Sequence, residues 1–522
     1  MHGYQLKERN TVINASIVVI ILAGIVMRSL QFFGRSSLWF DELTNARNVQ
    51  SRSFTELATR SLDYNQVSPV GFLWTEKLAT LILGETDLAY RFFPWLFSIA
   101  AIFLFYAIAK KFLKELFLVI AVLFFALSGS QIFYSGEGKQ YAGDVCFCLF
   151  LVWTGIQIID HRISTGKALV LGIAGMLAIV SCMPAVPLSV LILGLIAAEH
   201  IRHKLASGNP AIIIITVCWL AGTVTGYVYA MEVVSNTVQD VMEVYWSAGF
   251  APTGKLLKLI IWIPSVIVEE MNFFLTAWMK EVYPAITVIA LIIGLFALPG
   301  IYFLLQRALI PAMIVFAPLL IALALSITKI LPFSGRIAVY ATWPMLIAGM
   351  AGLQWLAGIE WIAGMPNRYL KPLYYRIFAI ALASPLVLIL AAVPAERPPF
   401  HEQPSQPVLR RMKHKMQPGD IVYVYYKARH AMAFYGPQEK IGPFVEGRYY
   451  DFIQPYLREV DQFKGQSRVW FFFTQWTKKQ PFPDEIKNYL GTVIGRAIDS
   501  IPDPFGGTKE SEAAAYLYDL RK

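Results

Sequence analysis

Val12-Ile-Asn-Ala-Ser-Ile-Val-Val-Ile-Ile-Leu-Ala-Gly-Ile-Val-Met27 continues into Arg28-Ser-Leu-Gln-Phe-Phe33 and then, after a short break, into Leu38-Trp39-Phe40-Asp41-Glu42. A bilayer core of about 30 Å needs roughly 20 apolar residues to cross it as a helix. This first run is long enough, follows Lys7 and Arg9, and ends at no small-residue cleavage site. It therefore reads as an anchored helix and not as a removed leader. The acidic pair just beyond it, beside a tryptophan suited to a membrane interface, is the first place where chemistry is expected.

The same measure applied along the chain gives about eleven transmembrane helices, near 12–33, 91–109, 116–134, 143–160, 168–183, 185–200, 211–231, 284–304, 308–328, 337–356 and 376–394. Met183-Pro184 breaks one long apolar stretch into a hairpin of two short halves. One set of connections is short and dense in positive charge: Lys7 and Arg9, Lys110, Lys111 and Lys114, Arg162 and Lys167, Arg202 and Lys204, Arg307, Arg368 and Lys371. The positive-inside rule puts that set, and the N-terminus, in the cytoplasm. An odd number of spans then leaves the last 128 residues outside.

Composition agrees. The 522 residues are 56% hydrophobic and 15% charged, with a mean hydropathy of +0.52. Soluble chains carry about 25% charged residues. Disordered, coiled-coil and nucleic-acid-binding classes are excluded, and the net charge of +10 reads as an orientation signal. Cys146, Cys148, Cys182 and Cys218 all fall in apolar runs. Neither a disulfide framework nor a zinc site is indicated.

Two domains are expected: a membrane domain, 1–394, with long outer loops at 34–90 and 232–283, and a soluble domain, 395–522. In the first loop Val70–Leu83 carries Glu76-Lys77 and reads as an interfacial helix. In the second, 256–268 is short and holds Pro264, so a re-entrant or interfacial segment is expected. After a proline-rich exit, Asp420-Ile-Val-Tyr-Val-Tyr-Tyr426 and Arg468-Val-Trp-Phe-Phe-Phe473 read as buried strands, with helical patterns at 428–434 and 484–490. A small α/β domain follows.

Three clusters could carry chemistry. Asp41 beside Glu42 is either the cap of a helix over 42–49 or a carboxylate whose lost solvation raises it toward general-base strength; the two are compatible. Tyr134-Ser-Gly-Glu137-Gly-Lys139-Gln-Tyr141 holds an acid, a base and two tyrosines, and is either a reactive link or a polar turn with a surface ion pair. Glycines 136 and 138 would let the backbone approach a ligand. Lys329 and Arg336 flank the link before the tenth span; with Arg91 and Arg28 they either hold a phosphate or snorkel to headgroups. All three clusters fall on the non-cytoplasmic side. Together they supply a base for an acceptor hydroxyl and cations for a phosphate leaving group. A transporter would place its ionisable groups inside the spans, near the midplane.

These segments resemble the bacterial branch of the GT-C glycosyltransferases, which includes family-39 protein O-mannosyltransferase-like enzymes and lipid A aminoarabinose transferases. Trp39-Phe40-Asp41-Glu42 resembles the W-x-D-E of the first outer loop. Ser68-Pro69-Val70, Leu83-Gly84 and Leu88-Ala89-Tyr90-Arg91 resemble its continuation. Tyr134 to Tyr141 resembles the second-loop motif, Phe333-Ser-Gly-Arg336-Ile-Ala-Val-Tyr340 the late one, and Gly419-Asp420-Ile-Val-Tyr-Val-Tyr-Tyr426 a segment found after the last span. Lys139 stands where Arg is usual, and Ile337 where Tyr is.

The resemblance implies a GT-C fold in a bacterial inner membrane. It implies inverting hexosyl or pentosyl transfer from a polyprenyl-phosphate sugar, undecaprenyl phosphate in bacteria, to an acceptor it leaves unidentified. Asp41 would be the base, Glu42 its helper and Glu137 a second acid. Lys139, Arg336, Arg91 and Lys329 would neutralise the lipid phosphate, with Trp39, Tyr134 and Tyr141 lining the pocket. No His/Asp/Glu set has ligand spacing in the outer loops, so no essential metal is expected. The rival expectations are a lipid-linked saccharide transporter or flippase, which needs no base, and an envelope scaffold that binds through its tail.

Overall fold

Apolar helices form one compact body of the chain and a five-stranded sheet anchors the other. The computed structural model describes residues 2–34, 37–160, 163–202, 210–234, 246–276, 284–357, 399–400, 403–474, 482–493, 495–505 and 512–521. The first unit comprises Met1–Phe33, Arg52–Gly84 and Leu88–Pro398; the second comprises Gly34–Ser51, Glu85–Asp87 and Pro399–Lys522. The early part of the first outer loop therefore groups with the C-terminal tail.

In chain order the helices are α1 (His2–Gly34), α2 (Phe40–Ser51), α3 (Phe54–Thr59), α4 (Val70–Leu83), α5 (Asp87–Phe112), α6 (Glu115–Ala126), α7 (Gly129–Ser135), α8 (Tyr141–Asp160), α9 (Thr165–Val180), α10 (Ala185–Arg202), α11 (Pro210–Tyr229), α12 (Leu256–Thr276), α13 (Pro284–Arg307), α14 (Leu309–Ile327) and α15 (Trp343–Ala357). Among the described residues eight of these are long and apolar enough to cross a membrane: α1, α5, α8, α10, α11, α12, α13 and α14. The pair α6 and α7, bent by 42°, adds a ninth if it is one span. Valines and leucines such as Val18, Val19 and Leu22 on α1 and Leu295 and Leu298 on α13 stay exposed. That is the arrangement expected of helices whose solvent is lipid.

The expected count of eleven is not reproduced. The span at 376–394 lies outside the described residues. The expected span at 168–183 is α9, only 16 residues long. The one at 337–356 opens with two 3₁₀ turns, Gly335–Ile337 and Val339–Ala341, before the 15-residue α15. Residues 256–268, expected to be a short re-entrant or interfacial segment, begin the continuous 21-residue helix α12. Pro264 sits inside that helix without ending it, and the apolar pattern resumes after Glu269-Glu270.

Small residues let helices close together where lipid gives them no hydrophobic reason to. A Cβ on Gly300 of α13 would lie 1.8 Å from the Ala348 carbonyl oxygen of α15, and one on Gly352 would lie 2.0 Å from that of Phe296. The bend between α6 and α7 has a specific cause. Breaking the helix strands the carbonyls of its last turn, and Arg28 of α1, 0% exposed, supplies the missing donors. Its Nη1 donates to Ala126 O and, at 3.1 Å, to Gly24 O; its Nη2 donates to Phe125 O at 3.4 Å and its Nε to Ser98 Oγ at 2.7 Å. A cation at a helix C-terminus also suits the helix dipole. From the other side Ser128 and Ser130 donate to Phe274 O of α12. The break thus fixes the start of α7 and, through it, the link to α8.

The second unit contains α2 and a sheet ordered β2-β1-β3-β5-β4. Its strands are β1 (Ile421–Val424), β2 (Val445–Glu446), β3 (Val469–Thr474), β4 (Asp499–Ile501) and β5 (Ala513–Tyr518). β1 pairs in parallel with β2 and β3, and β5 pairs antiparallel with β3 and β4. Helices α16 (Ser405–Lys415), α17 (Arg429–Gln438), α18 (Ile453–Asp461) and α19 (Phe482–Val493) complete it. The central β3, Val-Trp-Phe-Phe-Phe-Thr, is buried along its whole length, as the expected run of large apolar residues requires.

Candidate functional site

The first unit gathers the second outer link and the late link around one cluster. Tyr134 ends α7 and Tyr141 opens α8, and their rings are 5.1 Å apart. Between them Glu137 and Lys139 are 1% and 3% exposed. Both are buried, so the link is not the exposed polar turn that the sequence left open. Lys139 Nζ donates to Gln66 Oε1 at 2.7 Å, and Ser68 Oγ to Gln140 Oε1 at 3.3 Å. Two residues of the first loop therefore hold the second. Gly136 serves packing: a Cβ there would meet Gln31 Cγ at 2.8 Å, so the space expected for a ligand is filled by α1.

Arg336 arrives from the late link. Its guanidinium stands 5.6 Å from the Tyr141 ring and 5.6 Å from the Trp246 ring, distances within cation–π range. Gly335 precedes it with φ +51°, a conformation only glycine adopts without strain. Gly335 N donates to Glu270 Oε1 of α12 at 2.8 Å, and Phe333 N to Gly249 O at 2.8 Å. One turn from Glu270, the Phe273 ring lies 6.4 Å from that of Tyr134.

The structure therefore brings Tyr134, Glu137, Lys139, Tyr141 and Arg336 together. Sequence reasoning missed Gln66, Trp246, Glu270 and Phe273. A buried-side glutamate on an apolar helix was the available signal, because an ionisable residue within a span is expensive and usually functional.

The remaining cations behave differently. Lys329 Nζ donates to Ala251 O and lies 5.4 Å from the Phe250 ring, so its ammonium pins residues 250–251 to the late link. Arg91, near the start of α5, is 0% exposed, as is Arg28. Neither snorkels to headgroups; burial inside the protein replaces that reading. Arg28 is a structural donor to the α6 carbonyls.

Trp39, Asp41 and Glu42 belong to the second unit. The helix they open starts at Phe40, two residues earlier than expected, and its cap is not Asp41. Glu42 Oε2 accepts from Trp39 N at 3.1 Å, with Glu42 1% exposed, and Asp41 is left half-buried in the first turn. Tail residues fix this segment: Phe40 N donates to Gln403 Oε1 at 3.1 Å and Gln406 N to Ser37 Oγ at 2.9 Å. Tyr435 Oη accepts from Leu38 N and donates to the Asp87 carboxylate, 3.0 Å from each oxygen.

His430 of α17 packs its ring edge-on to Phe40, with centroids 5.4 Å apart. Arg47 Nη1 lies 3.2 Å from its Nδ1, and Arg429 Nε donates to its Nε2 at 3.3 Å. Desolvation, then the charges of Arg429 and Arg47, push this histidine down to about 3. It is a neutral ring at any physiological pH.

Comparison with known proteins bears on part of the cluster. Residues 67–228 match the family described as dolichyl-phosphate-mannose-protein mannosyltransferase. The matched stretch contains Ser68-Pro69-Val70 and the Tyr134 to Tyr141 link, and stops short of Asp41 and Arg336. No curated protein is similar enough to be matched. Among solved structures, the oligosaccharyltransferase of Archaeoglobus fulgidus in complex with zinc and sulfate has a TM-score of 0.48 at 10% identity, over 87% of this chain and 67% of that one. ArnT from Cupriavidus metallidurans in the apo state gives 0.48 at 11% identity, over 98% of each chain. The same protein bound to undecaprenyl phosphate gives 0.48 at 12%, over 96% of this chain and 97% of that one. Likenesses at this level assign nothing to individual residues here. The family match agrees with the resemblance where it covers the outer-loop motifs: residues 67–228 of this chain are similar to dolichyl-phosphate-mannose-protein mannosyltransferases.

Proposed function

We propose that the protein transfers a hexosyl or pentosyl group from a polyprenyl-phosphate donor, undecaprenyl phosphate in a bacterium, to an acceptor on the non-cytoplasmic face, with inversion. The observation that carries this reading is a cluster in which Lys139, Glu137 and two tyrosines are buried and Arg336 is half-buried. Burying ions is expensive unless they are partnered, and helices selected only to span lipid have no use for them.

In the proposed reaction the acceptor hydroxyl oxygen bonds to the anomeric carbon. The bond from that carbon to the phosphate oxygen breaks, and its electron pair stays on the phosphate. Asp41 takes the hydroxyl proton. The donor phosphodiester carries one negative charge and the released monoester up to two, so charge grows at the phosphate as the bond breaks. Fixed cations there stabilise the transition state more than the ground state. Lys139 as a point charge and Arg336 as a planar fork are assigned that role. They supply the positive charge, so the proposal calls for no resident metal. Glu137 holds and orients the cluster beside them. The N-terminus is assigned to the cytoplasm and the tail to the opposite side by the charge asymmetry of the loops.

Mass spectrometry of lipid co-purified with the protein tests the reading. A polyprenyl phosphate, bare or carrying one sugar, is the expected result, and its absence from Lys139→Gln, Arg336→Gln protein is expected with it. Retention of a lipid lacking phosphate would sink the proposal. Movement of an intact sugar lipid across a vesicle membrane without bond cleavage would favour the transporter.

A further inference from the structure

Two consecutive glutamates on α12 meet opposite fates. Glu269 is exposed, whereas Glu270 is 2% exposed. One carboxylate oxygen of Glu270, Oε1, accepts from Gly335 N at 2.8 Å. The other, Oε2, is buried and has no hydrogen-bond partner among the described residues. An acceptor left in that state loses its solvation without compensation, and the loss is heavier in a helix apolar enough to cross a membrane. A buried acceptor in that state calls for a partner that the described residues do not supply.

Its surroundings indicate what that is. Gly335 immediately precedes Arg336, whose guanidinium spans Tyr141 and Trp246. Phe273, one turn along the same helix from Glu270, approaches both Tyr134 and the position of Gly335. Oε2 thus borders the cation-bearing cluster. An ionised carboxylate oxygen only accepts hydrogen bonds. A phosphate held by Arg336 has no proton to offer it and is repelled by it. A sugar hydroxyl has one.

We propose that Glu270 forms a hydroxyl-binding subsite for the sugar of the lipid donor. Its Oε1 shapes the turn that presents Arg336 to the phosphate, and its Oε2 accepts a hydrogen bond from a hydroxyl of the attached sugar. One residue then reads both halves of a glycosyl phosphate headgroup. This rests on the function proposed above and adds the residue that tells a sugar-bearing lipid from a bare one.

Glu270→Gln is the discriminating variant. Its amide oxygen still accepts from Gly335 N, while an NH₂ replaces the open acceptor. Titrations of the purified full chain with undecaprenyl phosphate, and with undecaprenyl phosphate carrying glucose or mannose, give the readout. The variant should bind the bare lipid as the wild type does and the preferred sugar lipid about tenfold more weakly, or about 1.4 kcal/mol. Glu270→Asp, which keeps a carboxylate, should recover part of the preference, and Glu269→Gln should change nothing. Unchanged binding of both lipids by Glu270→Gln overturns the subsite. Equal weakening of both also overturns it, leaving only the turn-shaping role. A wild-type protein that binds no bare lipid would instead bring down the function on which the proposal rests.

Discussion

Tyr435→Phe removes one oxygen from the second unit and should loosen the segment that carries Asp41. In the structure Tyr435 Oη accepts from Leu38 N and donates to the Asp87 carboxylate. Tyr435 and Leu38 are both 0% exposed, so water cannot replace the lost partner without an opening. A hydrogen bond to a charged group is worth about 1.5–3 kcal/mol, and a buried unsatisfied N–H costs about 1–3 kcal/mol. The two overlap, so a local loss of about 2–4 kcal/mol is expected. That raises the open population of the segment by roughly 30- to 1,000-fold, since each 1.4 kcal/mol is tenfold. Hydrogen exchange followed by mass spectrometry should show faster exchange in peptides covering residues 37–51. Peptides covering β1 and β3 should keep their protection. Sugar transfer should fall with the first effect. Unchanged exchange over 37–51 would refute the reasoning, and so would loss of protection throughout the tail.

Three further expectations follow from other residues. His430 is depressed to about 3 by desolvation and the neighbouring arginines, so the unfolded state binds more protons than the folded one between about pH 6.5 and 3. Stability of the second unit is complete above the unfolded value and falls with pH through that window; His430→Phe should flatten the fall in exchange protection of α17, and an unaltered pH profile would contradict it. Arg28→Met strands the Phe125 and Ala126 carbonyls and should destabilise the protein by about 2–4 kcal/mol, seen as a lower melting temperature in detergent; an unchanged melt would show that the α6 to α7 bend does not depend on Arg28. Chelation with excess EDTA should leave transfer within twofold if Lys139 and Arg336 supply the charge as proposed; loss restored by a divalent cation would reverse that assignment.

Much of the architecture was legible because membrane helices and buried strands announce themselves by composition alone. The run 12–33, the hairpin at Met183-Pro184 and the aromatic strand at 469–474 needed no tertiary information. The length of α12 was underestimated because Pro264 and the end of the apolar run at Val268 suggested a short segment; a helix tolerates an internal proline when neighbours accommodate it. β5 was missed because Ala-Ala-Ala-Tyr-Leu-Tyr favours a helix by propensity, and only its place beside β3 makes it a strand. β2 and β4, two and three residues long, are too short for any periodicity.

At the site, sequence motifs supplied the residues of one connected link and of a second nearby in sequence pattern. They could not supply Gln66, Trp246 or Glu270, which reach the cluster from segments far apart along the chain. They also could not show that tail residues Gln403, Gln406 and Tyr435 hold the loop of Asp41, because pairings across some 360 to 400 positions leave no local trace.

In the proposed mechanism Asp41 accepts a proton during sugar transfer. That step is tested most directly by measuring transfer and lipid binding together in reconstituted Asp41→Asn protein, given undecaprenyl phosphate carrying the sugar identified on the native lipid. Binding should stay within twofold of wild type and the transfer rate should fall by about 10²–10⁴, the usual contribution of a general base. Transfer at the wild-type rate with Asn at position 41 would contradict it.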